Sequence, residues 1–157
     1  LARLAPVIER ELRESARRTE LRKAEEERQN LIAAVENIQD LVCMVDTERR
    51  VSYMNAAGLQ LLGLEDHAPA FGPGLPLEDL FTPLERGRVL EAVLPTALQQ
   101  GHWAGELQFR HLSDDGPRWM DTKIVLIRER ESDAPKAFAI VSRDLTERKR
   151  FERTLQE

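Results

Sequence analysis

The last nineteen residues, Ala139 to Glu157, read AIVSRDLTERKRFERTLQE, and they set the strictest condition on the fold. The apolar run Ala139-Ile140-Val141, with its β-branched pair, belongs in a buried strand. With no glycine or proline between, it passes into a charged segment of helix-forming residues. Connections between elements usually take about four to six residues of turn. Here the last strand must end at the boundary of its domain, with a helix leaving almost from its final rung.

The other end of the chain is also helical. Residues 7–38 contain no glycine or proline and are rich in Arg, Glu, Ala and Leu. Leu21, Ala24, Leu31, Val35 and Ile38 follow a 3-4 spacing in which Arg28 fills the one discordant place. Leu12 is counted with the same apolar face. Two readings stay open: a heptad seam that pairs two chains, or an amphipathic helix lying on its own domain.

Between these ends the period changes. Leu41 to Asp46 and Arg50 to Asn55 read as strands of a hairpin around Asp46-Thr47-Glu48-Arg49. A short helix follows, capped by Asn55 and stopped by Gly63. Pro69, Gly72, Pro73, Gly74 and Pro76 make residues 64–79 loop with at most one helical turn. Thr82-Pro83-Leu84-Glu85 is a capping box with proline at the first helical position. Pro95 is expected to kink or interrupt the helix it opens. Trp103 to Leu112, Arg118 to Arg130 and Lys136 to Arg143 complete the strands, the first two flanking a turn at Ser113 to Pro117. Five strands with helices gathered in the middle imply an α+β fold, an antiparallel sheet with helices on one face.

Composition excludes several function classes. The formal net charge is −5, and basic residues alternate with acidic ones at both ends, so no nucleic-acid partner is expected. No apolar run approaches the roughly 18 residues of a membrane span, and no signal-peptide pattern appears. The chain starts at Leu1, which suggests a piece of a longer, cytoplasmic polypeptide with no membrane contact of its own. Cys43 is the single cysteine and sits in an apolar run, the place of an inert buried thiol. His67, His102 and His111 have no metal-ligand spacing. There is no phosphate-binding glycine loop, nucleophile elbow or paired-carboxylate motif, and the fragment is expected not to be an enzyme.

Several stretches, in order, resemble a PAS domain. Leu41-Val-Cys-Met-Val-Asp46, Arg50-Val-Ser-Tyr-Met-Asn55 and Ala56 to Gly63 resemble its opening hairpin and first helix. Gly101-His-Trp-Ala-Gly-Glu-Leu107 and Asp115-Gly-Pro-Arg-Trp-Met-Asp121 resemble the start of its third strand and the turn into its fourth. Ser142-Arg-Asp-Leu-Thr-Glu-Arg-Lys149 resembles the family's Asp-Ile-Thr ending, with Leu145 in place of isoleucine. The likeness runs from about residue 30 to 150, giving a helical linker or coiled-coil segment at 1–30, a PAS domain at 31–145 and the start of a signalling helix at 146–157.

The resemblance implies a sensory and dimerisation module of a signal-transduction protein, such as a two-component system. A kinase, cyclase or transcriptional output domain would lie in the same chain. Asp144 and Glu147 stand as N-cap and N3 of a capping box, so the junction Asp144, Thr146 and Glu147 would pass motion from sheet to helix. A homodimer through Leu21, Ala24, Leu31, Val35 and Ile38 is expected. The family's pocket lies between the sheet and the central helices. With Asp121 and Lys123 facing solvent, Met120, Thr122, Ile124 and Leu126 face inward. Phe138, Ile140 and Ser142 share a face, and Ser142 points inward by similarity to flavin-binding relatives. Met44, Leu107 and Phe109 complete the pocket candidates. A filled core without ligand, in a scaffold that only pairs chains, is the competing reading. No cofactor is expected: Cys43 is not in the Asn-Cys-Arg-Phe-type helix motif of flavin photosensors, and no histidine lies within residues 83–100.

Overall fold

The computed structural model describes residues 4–65, 74–114 and 116–156. It forms two compact units that divide between Glu36 and Asn37. The first is a single helix, α1 (Leu4–Glu36), in which Leu12, Leu21 and Leu31 are all exposed. Ile38, expected as the last seam residue, lies outside the helix. The Asn55 side-chain amide donates to the carbonyls of Ile38 and Asp40, so tertiary bonds occupy groups that a longer helix would use. Leu12 does not belong to the seam either. It lies nine residues from Leu21, which at about 3.6 residues per turn is half a turn round the helix.

The second unit is an antiparallel sheet with helices over one face. Its strands are β1 (Leu41–Asp46), β2 (Arg50–Met54), β3 (Leu75–Pro76), β4 (His102–Arg110), β5 (Pro117–Arg128) and β6 (Pro135–Asp144). They are ordered β3-β2-β1-β6-β5-β4. The expected five are joined by β3, a two-residue strand paired through Arg50 and Val51 at one edge. Leu75 and Pro76 carry no strand pattern of their own. Residues 66–73, including His67 and part of the expected loop, and Asp115 of the expected turn lie outside the described residues.

α2 (Ala56–Leu62) starts on Asn55, whose Oδ1 accepts from the Gly58 N–H, and stops at Gly63 with φ 69°. A Cβ at Gly63 would land on the His111 ring, so the stop needs glycine for space as well as conformation. A short 3₁₀ turn (Leu77–Leu80) leads to α3 (Pro83–Arg88), a π-helical turn (Val89–Val93) and α4 (Leu94–Gln100). Pro95 therefore does not interrupt the helix. The wider turn, in which the Leu94 N–H bonds the Val89 carbonyl, absorbs the proline instead.

The capping box at Thr82 does not close. The Thr82 hydroxyl donates to Gln108 Oε1 (3.1 Å), and the Gln108 N–H donates to Glu85 Oε2 (3.1 Å). β4 is an edge strand, so its outward backbone groups need partners from elsewhere. Thr82 and Glu85 supply them, and Phe81 pairs with Phe109 with ring centroids 4.5 Å apart. Glu85 is buried there, with Arg88 at 3.2 Å as counter-ion. A buried carboxylate at a sheet edge is stable only with such partners.

The core lies between this helical layer and the inner sheet face. Cys43 is wholly buried, and burial pushes its thiol up to about 12. Because the thiolate is the reactive form, the folded protein is expected to resist a disulfide reagent at pH 8. Labelling should run at least about 100-fold slower than in denaturant and track global unfolding. Rapid labelling under native conditions would contradict the burial.

Candidate functional site

Strands β4, β5 and β6 each contribute alternate residues to one surface. From β4 come Leu107 and Phe109, from β5 Met120, Thr122, Ile124 and Leu126, and from β6 Phe138, Ile140 and Ser142, all of them buried. Cross-strand register joins Leu107 to Met120, Thr122 to Ser142, Ile124 to Ile140 and Leu126 to Phe138. One polar feature stands in this surface. The hydroxyls of Thr122 and Ser142 are 3.0 Å apart, and that of Thr122 is 3.3 Å from the Met120 carbonyl. With Ser142 donating to Thr122 and Thr122 to the carbonyl, both protons are used, so the pair is tolerated in an apolar core.

Met44 is the exception among the residues expected here. On β1 the buried positions are Leu41, Cys43 and Val45, which turns Met44 to the outer face, opposite Tyr53 and Ala139. Alternation allowed two phases, and a run of five apolar residues does not choose between them. The cross-strand pairing of Cys43 with Ile140 decides it.

Two features of the site carry little sequence signal. The first is Asn55, fully buried, whose Oδ1 accepts from the N–H groups of Val42 and Gly58 (3.0 Å each). Its Nδ2 donates to the Asp40 carbonyl at 3.0 Å. A residue legible only as a helix cap therefore also fixes the point where the chain enters the sheet. The second feature is the relation between the two ends of the unit. Leu41 pairs with Ser142, and Arg143 lies 3.8 Å from Asp40, so the chain enters and leaves the sheet on neighbouring strands.

At the exit, one residue separates β6 from α5 (Thr146–Gln156). That residue, Leu145, still donates its N–H to the Trp119 carbonyl (2.7 Å), as a further rung of the sheet. Asp144 Oδ1 accepts from the Thr146 N–H at 2.9 Å. Among the described residues Glu147 returns no bond to Asp144, so the expected capping box is half made. Asp144 pairs with Met120 on the sheet, which commits its backbone to the strand. The Thr146 hydroxyl is buried and has no partner among the described residues.

The two described histidines do not converge: His102 is exposed at the start of β4, and His111 packs beside Gly63 and Asp114. No group of three metal-ligating side chains occurs among the described residues.

These features define an antiparallel sheet with helices over one face and a tight strand-to-helix exit, and comparison with known proteins identifies the fold. A family model described as PAS fold matches residues 35–150, and the chain belongs to the PAS family. Among solved structures, a PAS domain from Colwellia psychrerythraea superposes with a TM-score of 0.67 at 21% identity, over 76% of this chain and 97% of that one. A PAS domain of an HTR-like protein from Haloarcula marismortui gives 0.64 at 15% identity, over 81% and 98%. A PAS domain from a two-component sensor histidine kinase gives 0.61 at 12% identity, over 77% and 98%. At these identities the likeness is one of fold. No curated protein sequence matches the chain.

Proposed function

We propose that this chain is the sensory and dimerisation module of a multidomain signal-transduction protein. In this reading a change in the PAS core passes through Asp144-Leu145-Thr146 to an output domain in the same chain. The observation that carries it is the Leu145 N–H bonded to Trp119, which makes the last sheet rung and the first helical turn continuous. A junction with no slack moves the helix when the sheet moves. The unpartnered Thr146 hydroxyl adds to this, because a buried group without a partner favours any second arrangement that supplies one. A solved structure of the same fold is a PAS domain from a two-component sensor histidine kinase, which supports this reading. No helix among the described residues is long and apolar enough to cross a membrane, and we place the module in the cytoplasm. It has no catalytic role in this reading.

The ligand would contact Leu107, Met120, Thr122, Ile124 and Ser142, exchanging the mutual hydroxyl bond for one of its own. The alternative, a ligand-free scaffold that only pairs chains, draws on the same surface, because those side chains already bury one another.

Thr122→Val removes the core hydroxyl pair and distinguishes the two readings. Hydrogen exchange of the α5 amides is expected to change several-fold, and insertion of two glycines after Leu145 should abolish that change. Unaltered exchange in α5, or transfer that survives the insertion, would leave the helix a passive appendage and favour the scaffold.

A further inference from the structure

A concavity lies at the opposite end of the sheet from the α5 junction. It is an open groove of about 500 Å³, in the range of small-molecule sites. Leu90, Leu94 and Leu98 form one wall, along the π turn and α4, with Phe138 of β6 facing them. Leu90 to Leu98 is eight residues, about 12 Å at the helical rise, so the groove is elongated. Pro95 also lines it and offers no N–H. Among the described residues, polar side chains enter it from the β1–β2 turn alone, as Thr47 and Arg49.

Arg49 is the informative residue. It has φ 65°, a left-handed conformation that an L side chain with a Cβ adopts at a cost and that glycine adopts freely. Its backbone is held there by the Arg49 N–H to Asp46 and by the Leu77 N–H to the Arg49 carbonyl (2.8 Å). Its guanidinium makes no ion pair or hydrogen bond with any described residue. A turn that would be easier with glycine thus holds an unpaired cation at the mouth of an apolar trough. Strained residues of this kind cluster at ligand-binding positions.

We propose that this groove binds an aliphatic monocarboxylate. The chain would lie along Leu90, Leu94 and Leu98, and the carboxylate would pair with Arg49 and accept from the Thr47 hydroxyl. A planar carboxylate suits the fork of a guanidinium. The ligand comes free from solution, since a protein of net charge −5 is repelled by an anionic bilayer. This assignment goes beyond the signalling reading and stands whether or not α5 carries a signal.

Decanoate, below its micelle concentration, is the probe, followed by calorimetry and by amide chemical shifts of the whole chain. Saturable one-to-one binding is expected, with shifts at Thr47 to Arg49, Leu90 to Leu98 and Phe138. Arg49→Gly should melt at or above the wild-type temperature yet bind at least tenfold more weakly, with Arg49→Gln as a second variant that keeps a side chain. Decanol should also bind at least tenfold more weakly than decanoate. Absence of saturation, equal binding by Arg49→Gly or by decanol, or shifts confined to other surfaces would overturn the proposal. So would binding to oleate-containing phosphatidylcholine vesicles without binding to decanoate. Conversion of a dimer to a monomer by Leu98→Glu would also overturn it, by showing that a second copy covers the groove.

Discussion

Replacing Asn55 by alanine is expected to destabilise the domain by about 3 kcal/mol or more, among the largest losses from any single substitution here. The truncation removes the cap of α2, typically worth about 1 kcal/mol. It also leaves the Val42 N–H and the Asp40 carbonyl without their side-chain partners, each at about 1–3 kcal/mol if water cannot reach it. Asn55→Asp separates the two halves of the role. A carboxylate still accepts from Val42 and Gly58 but cannot donate to Asp40, so it should recover part of the loss. Urea unfolding at constant m-value measures both variants. A loss below about 1 kcal/mol for Asn55→Ala would reduce the residue to a simple helix cap.

Deleting residues 1–28 is expected to convert a dimer into a monomer, weakening self-association at least about 100-fold while leaving the sheet intact. α1 has 33 residues and extends about 50 Å. A mostly polar helix gains little from propensity alone and needs a packed apolar face. Leu21 and Leu31 are 62% and 67% exposed, so a second copy of the helix is the simplest cover for them. Leu12, on the other side, contributes nothing to that seam. Charged flanks limit the affinity to the micromolar range, about 8 kcal/mol. Sedimentation over a concentration series reads the result. A truncated protein that remains dimeric would move the interface elsewhere, with Val125 and Val141 on the outer sheet face the next candidates.

Period and punctuation determined most of the fold from the sequence alone. Alternation on β5 placed Met120, Thr122 and Ile124 on the inner face because Asp121 and Lys123 cannot be buried unpaired, a local condition that leaves a single phase; on β6 it put Ile140 and Ser142 on one face, and only the family resemblance turned that face inward. Gly63 and the strand that runs straight into α5 were equally legible, since each depends on backbone rules within a few residues. What tertiary structure decided were the places where a local rule met a competing partner. β1 had no charged residue within its apolar run to set its phase, so its pairing with β6 put Cys43 inside and Met44 outside. Glu85 had a nearby amide to close its box, but the unpaired edge of β4 held the stronger demand. Asn55 looked like a cap, and three further groups distant in sequence made it the anchor of the chain's entrance. Arg49 looked like an ordinary turn residue. Only the positive φ and the apolar groove beside it show that its charge is held where no described residue answers it.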